Sequence, residues 1–446
     1  MGANGDSRVL IRERSAARDT MKTDPFSDEV SMWMGVAVGA LRDIRTLCGR
    51  CLPNQTCLRR SPGELRLSAE LVGDRDRIHG ESNRASFVGV REKPEVTMRI
   101  AAVGSALPPH FYDQDALIAA FRSHWATQHF NLDRLERLHR NVLVGGRFLA
   151  LPMEEYDTLT TWGKANDAWI RVAQDVGERA VRDALDGAGL GVDDVDCLIT
   201  VTVTGVATPS IDARLMNRLG LPSRVKRLPI FGLGCVAGTA GIARAADYVR
   251  AFPDQVAVLL SVELCSLTLQ REDLSIPNLI ASGLFGDGAG AAVVVGEERP
   301  GVGPRILDSR SVFYPDSERV MGWDISENGF KIVLSADVPE VVRRHLRSDV
   351  DAFLGDNGLD REDVGVWVSH PGGPKVLEAM QEALELDDGA LESAWRSLRE
   401  VGNLSSTSVL LVLKEVLESE PPTPGTFGLM VALGPGFCSE LVLLRW

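Results

Sequence analysis

Three residues in the second half of this chain carry types and settings that could do covalent chemistry. Cys235 lies in "IFGLGCVAGTAG" (230–241), His370 in "VSHPGGP" and Asn403 in "EVGNLSST". Each is read as standing at a strand end, set among glycines or other small residues. A cysteine at the first turn of a helix meets unpaired N–H groups and the positive end of the helix dipole, and both favour the thiolate. An imidazole nearby would favour it further and could carry the proton. Small neighbours let backbone N–H groups approach a carbonyl held on the sulfur, as an oxyanion hole requires. An asparagine can only donate or accept hydrogen bonds, so beside a histidine it suits polarising a carbonyl. The set reads as acyl transfer through a cysteine.

The elements that must position these residues follow from periodicity. Residues 194–205, "DVDCLITVTVTG", predict a buried strand, with a helix over Ile211–Leu219. Strands are predicted at 255–264 and 288–297, with a helix at 239–252. A strand at 364–370 leads into the helix "PKVLEAMQEALEL", and a further helix covers 405–419. Residues 426–446 form two strands joined across Gly434-Pro435-Gly436. Apolar strands alternating with amphipathic helices predict a sheet covered on both faces, hence α/β layers with strand–helix–strand packets in both halves. The compact fold is expected to begin at Met98. Residues 1–97, rich in Arg, Ser, Asp and Glu with one helix-like patch at Val30–Leu47, read as an N-terminal extension without a fixed fold.

Composition narrows the function. The 446 residues carry a formal net charge of −14, and the isoelectric point near 5.1 argues against a broad nucleic-acid or anionic-membrane surface. No run of 18 apolar residues stands ready to span a membrane, and the start lacks the apolar core of a signal peptide. Seven irregularly spaced cysteines fit a reduced, cytoplasmic chain. Cys48, Cys51 and Cys57 make a C-x2-C-x5-C half-site without a matching fourth ligand, so no metal is expected. A basic stretch at 132–148 places Arg134 and Arg137 three apart on one helical face, with Arg140 continuing it.

"GLGCVAGTAGIARAADYV", "GLFGDGAGAAVVVG", "SHPGGPKVLEAM", "GNLSSTSVLLVL" and "LGPGF" together resemble the type III polyketide synthases, the chalcone-synthase-like family, over residues 98 to 446. Within it, "VTVTGVATPSIDARLMNRLGL", "VELCSLTLQ" and "MGWDISENGFKIVLSADVP" look closest to the bacterial alkylpyrone and alkylresorcinol synthases. The resemblance implies a thiolase-like fold: duplicated βαβαβαββ halves in an α-β-α-β-α arrangement, with 98–310 carrying the nucleophile and 311–446 the His and Asn. It implies that Cys235 takes the starter from an acyl-CoA, and that His370 and Asn403 hold the thioester carbonyl of malonyl-CoA during decarboxylation. Phe285 matches the family gatekeeper. Ile332, Cys265 and Thr268 match cavity-wall positions, and Thr208 the position that reaches a partner subunit's cavity. Arg134, Arg137 and Arg140 fall at or beside the CoA-binding cations. The aliphatic Ile332 favours a long aliphatic starter, with Trp323 nearby able to close the space it opens. No organic cofactor is implied, and the family is homodimeric. The nearest alternative is a β-ketoacyl-ACP synthase III, which shares Cys, His and Asn but lacks "HPGGP" and "LGPGF". A cysteine hydrolase would need water at the acyl-cysteine.

Overall fold

Val-rich runs and amphipathic stretches fold as a mixed α/β protein in the computed structural model, which describes residues 97–126, 131–419 and 422–446. The Cys48–Cys57 half-site and the Val30–Leu47 patch lie outside the described residues. In chain order the first elements are β1 (Met98–Ala106), β2 (His110–Asp113), α1 (Gln114–His124), α2 (Leu132–Asn141) and β3 (Gly146–Leu149). Next come α3 (Trp162–Ala188), β4 (Cys197–Thr202), α4 (Ile211–Leu219), β5 (Lys226–Phe231), α5 (Ala237–Ala251), β6 (Val256–Leu264), α6 (Ile276–Leu284) and β7 (Asp287–Val295). The C-terminal half has β8 (Arg305–Phe313), β9 (Met321–Ser326), β10 (Gly329–Leu334), α7 (Val338–Asp356), β11 (Val364–Ser369) and α8 (Pro374–Leu384). It closes with α9 (Glu392–Val401), α10 (Ser408–Glu418), β12 (Phe427–Gly434) and β13 (Cys438–Arg445). Among the described residues, each strand and helix expected from periodicity is present, with bounds within about three residues of those expected.

Nine strands make one ladder in the order β11-β12-β13-β8-β1-β7-β6-β4-β5. One succession of pairings occurs twice. β4 is parallel to β6, and β6–β7 and β7–β1 are antiparallel. Likewise β11 is parallel to β12, and β12–β13 and β13–β8 are antiparallel. The half-sheets join where β1 meets β8, through Met98↔Ile306 and Arg99↔Arg305. α9 occupies the chain position that β5 holds in the first half.

The layers follow from which faces are apolar. α3 packs outside β1, β6 and β7, and its buried face includes Ala168, Val172, Val176, Ala180 and Ala184. Its close approach needs Gly104, whose added Cβ would stand 2.2 Å from the Ala184 nitrogen. α5 is the central helix and touches strands of both halves, including β6 and β13. Here the small residues after Cys235 find their purpose. A Cβ at Gly238 would stand 2.3 Å from the Ser406 carbonyl oxygen, and one at Gly241 2.5 Å from Leu259. Beside α5 lies α10, and α7 with α8 covers the other side. The succession is the expected α-β-α-β-α. β6 and β7 are buried along their whole length, as strands covered on both faces must be.

Candidate active site

Each of the three reactive residues is delivered by an element boundary. Cys235 sits in the 3-10 turn Gly234–Val236 that opens α5. That turn is built on Gly234, with φ +58°, where a Cβ would stand 2.6 Å from Pro435; only glycine meets both conditions without strain. His370 follows the end of β11, and its N–H donates to the Val431 carbonyl at 2.9 Å. Asn403 follows α9. Its N–H donates to the Leu284 carbonyl and its carbonyl accepts from Gly286 N–H, both at 3.0 Å, tying it to the segment that carries Phe285. All three side chains are buried, and they line one small cavity with Gly372, Met321, Leu433 and Phe437.

Asn403 Nδ2 donates to the Gly372 carbonyl at 3.1 Å, while Oδ1 accepts from Ser405 N–H at 2.8 Å. One amide proton of Nδ2 is thus left to point elsewhere. Neither ring nitrogen of His370 has a hydrogen-bond partner among the described residues. Cys235 Sγ lies 3.8 Å from Ser405 Oγ. Burial pushes the Cys235 thiol up to about 12, opposed by the Ser405 hydroxyl and reinforced by the Glu263 charge. Burial alone takes the His370 imidazole down to about 3. Desolvation in so buried a site opposes the pull of the helix start toward thiolate, and burial pushes both groups toward their neutral forms. A proton passed from sulfur to imidazole would convert them to an ion pair without changing the net charge of the site.

A second cavity, about 210 Å³, opens from Cys235 and is lined by Cys265, Phe285, Ile332, Trp323 and Met321 among others. Ile332 and Trp323 are cross-strand partners in the β9–β10 hairpin, so an aliphatic and an indole side chain share one stretch of wall. A third cavity, about 510 Å³, has Cys265, Phe285, Trp323 and Ile332 in common with the second and adds Thr268, Arg147, Tyr156, Asn278, Ser282 and others. The expected cavity residues Phe285, Ile332, Cys265 and Thr268 are therefore brought together. Thr208 is not among those linings; it is exposed, one loop away from α4. Arg134, Arg137 and Arg140 stand exposed on α2. Arg140 is engaged by Asp115 and Glu136, while Arg134 and Arg137 have no carboxylate partner among the described residues.

Sequence reasoning missed several residues. Glu263, fully buried at the end of β6, accepts from Val203 N–H at 3.1 Å and Thr204 Oγ1 at 2.9 Å, and from Ser406 Oγ. Burial pushes its carboxyl up. Asp287 at the start of β7 accepts from the N–H groups of Ala150 and Ser266, and burial pushes it up to about 6. Arg147 on β3 donates to the Phe285 carbonyl at 2.8 Å. The available signal was a single charged residue inside an otherwise apolar strand, as in "SVELC" and "GGRFLAL".

Comparison with known proteins places this chain among relatives. Residues 88–299 match the family model for the N-terminal domain of chalcone and stilbene synthases, and residues 305–446 the model for their C-terminal domain. A 1,3,6,8-tetrahydroxynaphthalene synthase of Streptomyces peucetius is 52% identical over 350 residues, covering 78% of this chain and 93% of the relative. A putative chalcone synthase of Bacillus subtilis is 37% identical, covering 78% and 98%. The crystal structure of the 1,3,6,8-tetrahydroxynaphthalene synthase of Streptomyces coelicolor, a bacterial type III polyketide synthase, superposes with a TM-score of 0.74 at 32% identity, covering 78% of this chain and 99% of that one.

Proposed function

The chain belongs to the chalcone and stilbene synthase family, the type III polyketide synthases, and on that premise we propose the course of its malonyl-CoA-dependent acyl transfer. Cys235 passes its proton to His370 and attacks the starter thioester, and the CoA thiolate leaves with a proton. His370 Nε2 and the free Asn403 amide proton then hold the carbonyl of malonyl-CoA, so that loss of CO2 leaves an enolate stabilised by two donors. The enolate carbon attacks the acyl-cysteine carbonyl, and a carbon–carbon bond forms as the C–S bond to Cys235 breaks. The extended chain, now a CoA thioester, is transferred back to the Cys235 sulfur with release of CoA for the next round. One observation carries this reading: Cys235, His370 and Asn403, 135 and 33 residues apart in sequence, line one buried cavity. Arg134 and Arg137, exposed and unpaired, are the proposed CoA-phosphate contacts. Arg140, already engaged, contributes less.

The proposed product is a polyhydroxylated aromatic of the class named for the 52% identical relative. Its ten carbons, oxygenated at alternate positions, correspond to five two-carbon units with no other starter. A second reading, a long aliphatic acyl-CoA starter closed to an alkylpyrone or alkylresorcinol, is favoured by the aliphatic Ile332 and the 510 Å³ cavity beyond it. Product analysis separates them. Malonyl-CoA alone gives an aromatic pentaketide under the first reading. Under the second, product appears only when a fatty acyl-CoA is added.

The proposed assembly is a homodimer. β5 is the edge strand of the sheet and exposes Leu228 at 45% and Phe231 at 52%, a pattern that marks interaction surfaces. No helix among the described residues is long and apolar enough to cross a membrane. A cytoplasmic setting is proposed from the CoA thioesters the reaction consumes. The proposed division of the chain keeps 1–97 as an extension, 98–310 as the half that delivers the nucleophile and 311–446 as the half that delivers His370 and Asn403.

A further inference from the structure

Arg147 is an odd residue for its place. Only 3% of it is exposed, yet Nε and Nη2 have no hydrogen-bond partner among the described residues. A single bond, from Nη1 to the Phe285 carbonyl, accounts for the side chain. Its stem is held: an added Cβ at Gly402 would stand 3.2 Å from Cγ, and one at Gly286 3.6 Å from Cβ. The nearby Asp287 carboxylate lends it opposite charge but accepts none of its hydrogen bonds. Asp287 spends its oxygens on the N–H groups of Ala150 and Ser266 and on the Ser266 hydroxyl. A buried guanidinium with donors left over is costly unless something accepts from them. Arg147 is also part of the wall of the 510 Å³ cavity, where Asn278, Ser282 and Tyr156 add polar groups to an otherwise apolar lining. That cavity shares Cys265, Phe285, Trp323 and Ile332 with the space that opens from Cys235, so a chain growing on the sulfur has a direct way in.

We propose that the 510 Å³ cavity receives the far end of the growing acyl chain and that Arg147 is a binding residue for a carboxylate carried there. This deepens the first reading above and rests on it. A chain built only from malonyl units can keep a carboxylate at its starter end, where a fatty acyl chain ends in methyl. The planar guanidinium matches a carboxylate through two parallel N–H donors. The Nε and Nη2 pair is the pair left unpaired.

The test is calorimetric binding of two matched thioesters, adipoyl-CoA and hexanoyl-CoA, which differ only in carboxylate against methyl at the end. Cys235→Ala protein is used so that no acyl transfer occurs. Adipoyl-CoA is expected to bind about tenfold more tightly than hexanoyl-CoA, the size of one charge-assisted contact. Adding Arg147→Met is expected to abolish that preference while hexanoyl-CoA affinity moves less than about threefold, within the scatter of non-contact changes. Arg147→Lys, which keeps the charge but not the fork, is expected to retain part of the preference, and it decides the matter if the Met variant fails to fold by its melting midpoint. Equal affinities in the Cys235→Ala protein, or a parallel fall for both thioesters on changing Arg147, would overturn the proposal. Its failure differs from that of the parent reading, which falls only if the unaltered enzyme makes no aromatic product from malonyl-CoA alone.

Discussion

Around Cys235, burial pushes the thiol up and the His370 imidazole down, so the groups that must react are driven toward neutrality. Across Cys265, in the larger cavity, Arg147 is still cationic at neutral pH, although burial lowers it to about 10. The small cavity is closed in by Leu433, Phe437, Met321 and Val338, where a charge gains meaning only when substrate arrives. The larger one carries a standing charge with donors to spare. The contrast teaches a division of labour. Chemistry is placed where charge is expensive and proton transfer is therefore tightly coupled to binding. Recognition of chain ends is placed where a fixed cation sits in an apolar wall.

The sharpest way to break this contrast is to remove the sulfur. Cys235→Ala is expected to lower polyketide yield by roughly a thousandfold or more, as loss of a nucleophile does. Cys235→Gln should still release CO2 from malonyl-CoA, because His370 and Asn403 remain. If Cys235→Ala keeps its product yield, the assignment of the small cavity is wrong. Asn403→Ala comes next. Removing one donor to the enolate oxygen should cost about a hundredfold or more in decarboxylation, read as CO2 release. An unchanged rate would move the carbonyl elsewhere.

Acid stability measures how strongly burial enforces neutrality. His370 and His139, the latter on the buried face of α2, are both held near 3, His370 by burial and His139 by burial and then the Arg147 charge, below the unfolded value of 6.5. The folded state therefore binds fewer protons than the unfolded one between pH 6.5 and 3, and stability falls as pH drops through that window. Each histidine contributes a slope of about 1.4 kcal/mol per pH unit. Asp287, raised to about 6, acts in the opposite sense, its contribution being full below pH 3.8 and lost as pH rises through about 6. His139→Gln should flatten the acid limb of urea midpoints against pH; an identical limb would mean that His139 is not held neutral. The smallest effect is expected from Ile332→Phe. It narrows the wall common to both larger cavities and should shift product toward shorter chains, with total turnover changing less than about tenfold. An unaltered product profile would show that this wall does not set chain length.

Cys235, His370 and Asn403 were legible because each stands at a strand or helix end inside a local pattern of small residues, and because the quoted blocks occur in the order of a known family. Local pattern also exposed β4, β6, β7 and α5. The residues that stayed hidden share one property: their partners lie far along the chain. Arg147 bonds to Phe285, 138 residues away. Glu263 collects Val203, Thr204 and Ser406 from two remote loops. The opposition that burial sets against the thiolate was hidden for a related reason. Helix position is visible in a sequence, whereas the burial that opposes it is a property of the assembled layers.

The most direct test of the central claim is peptide mass analysis after brief incubation with an acyl-CoA, without malonyl-CoA. The account predicts one acyl group per chain, on the peptide bearing Cys235, lost in Cys235→Ala and reduced in His370→Ala. Acylation of Cys265 instead, or none on any cysteine, would contradict it.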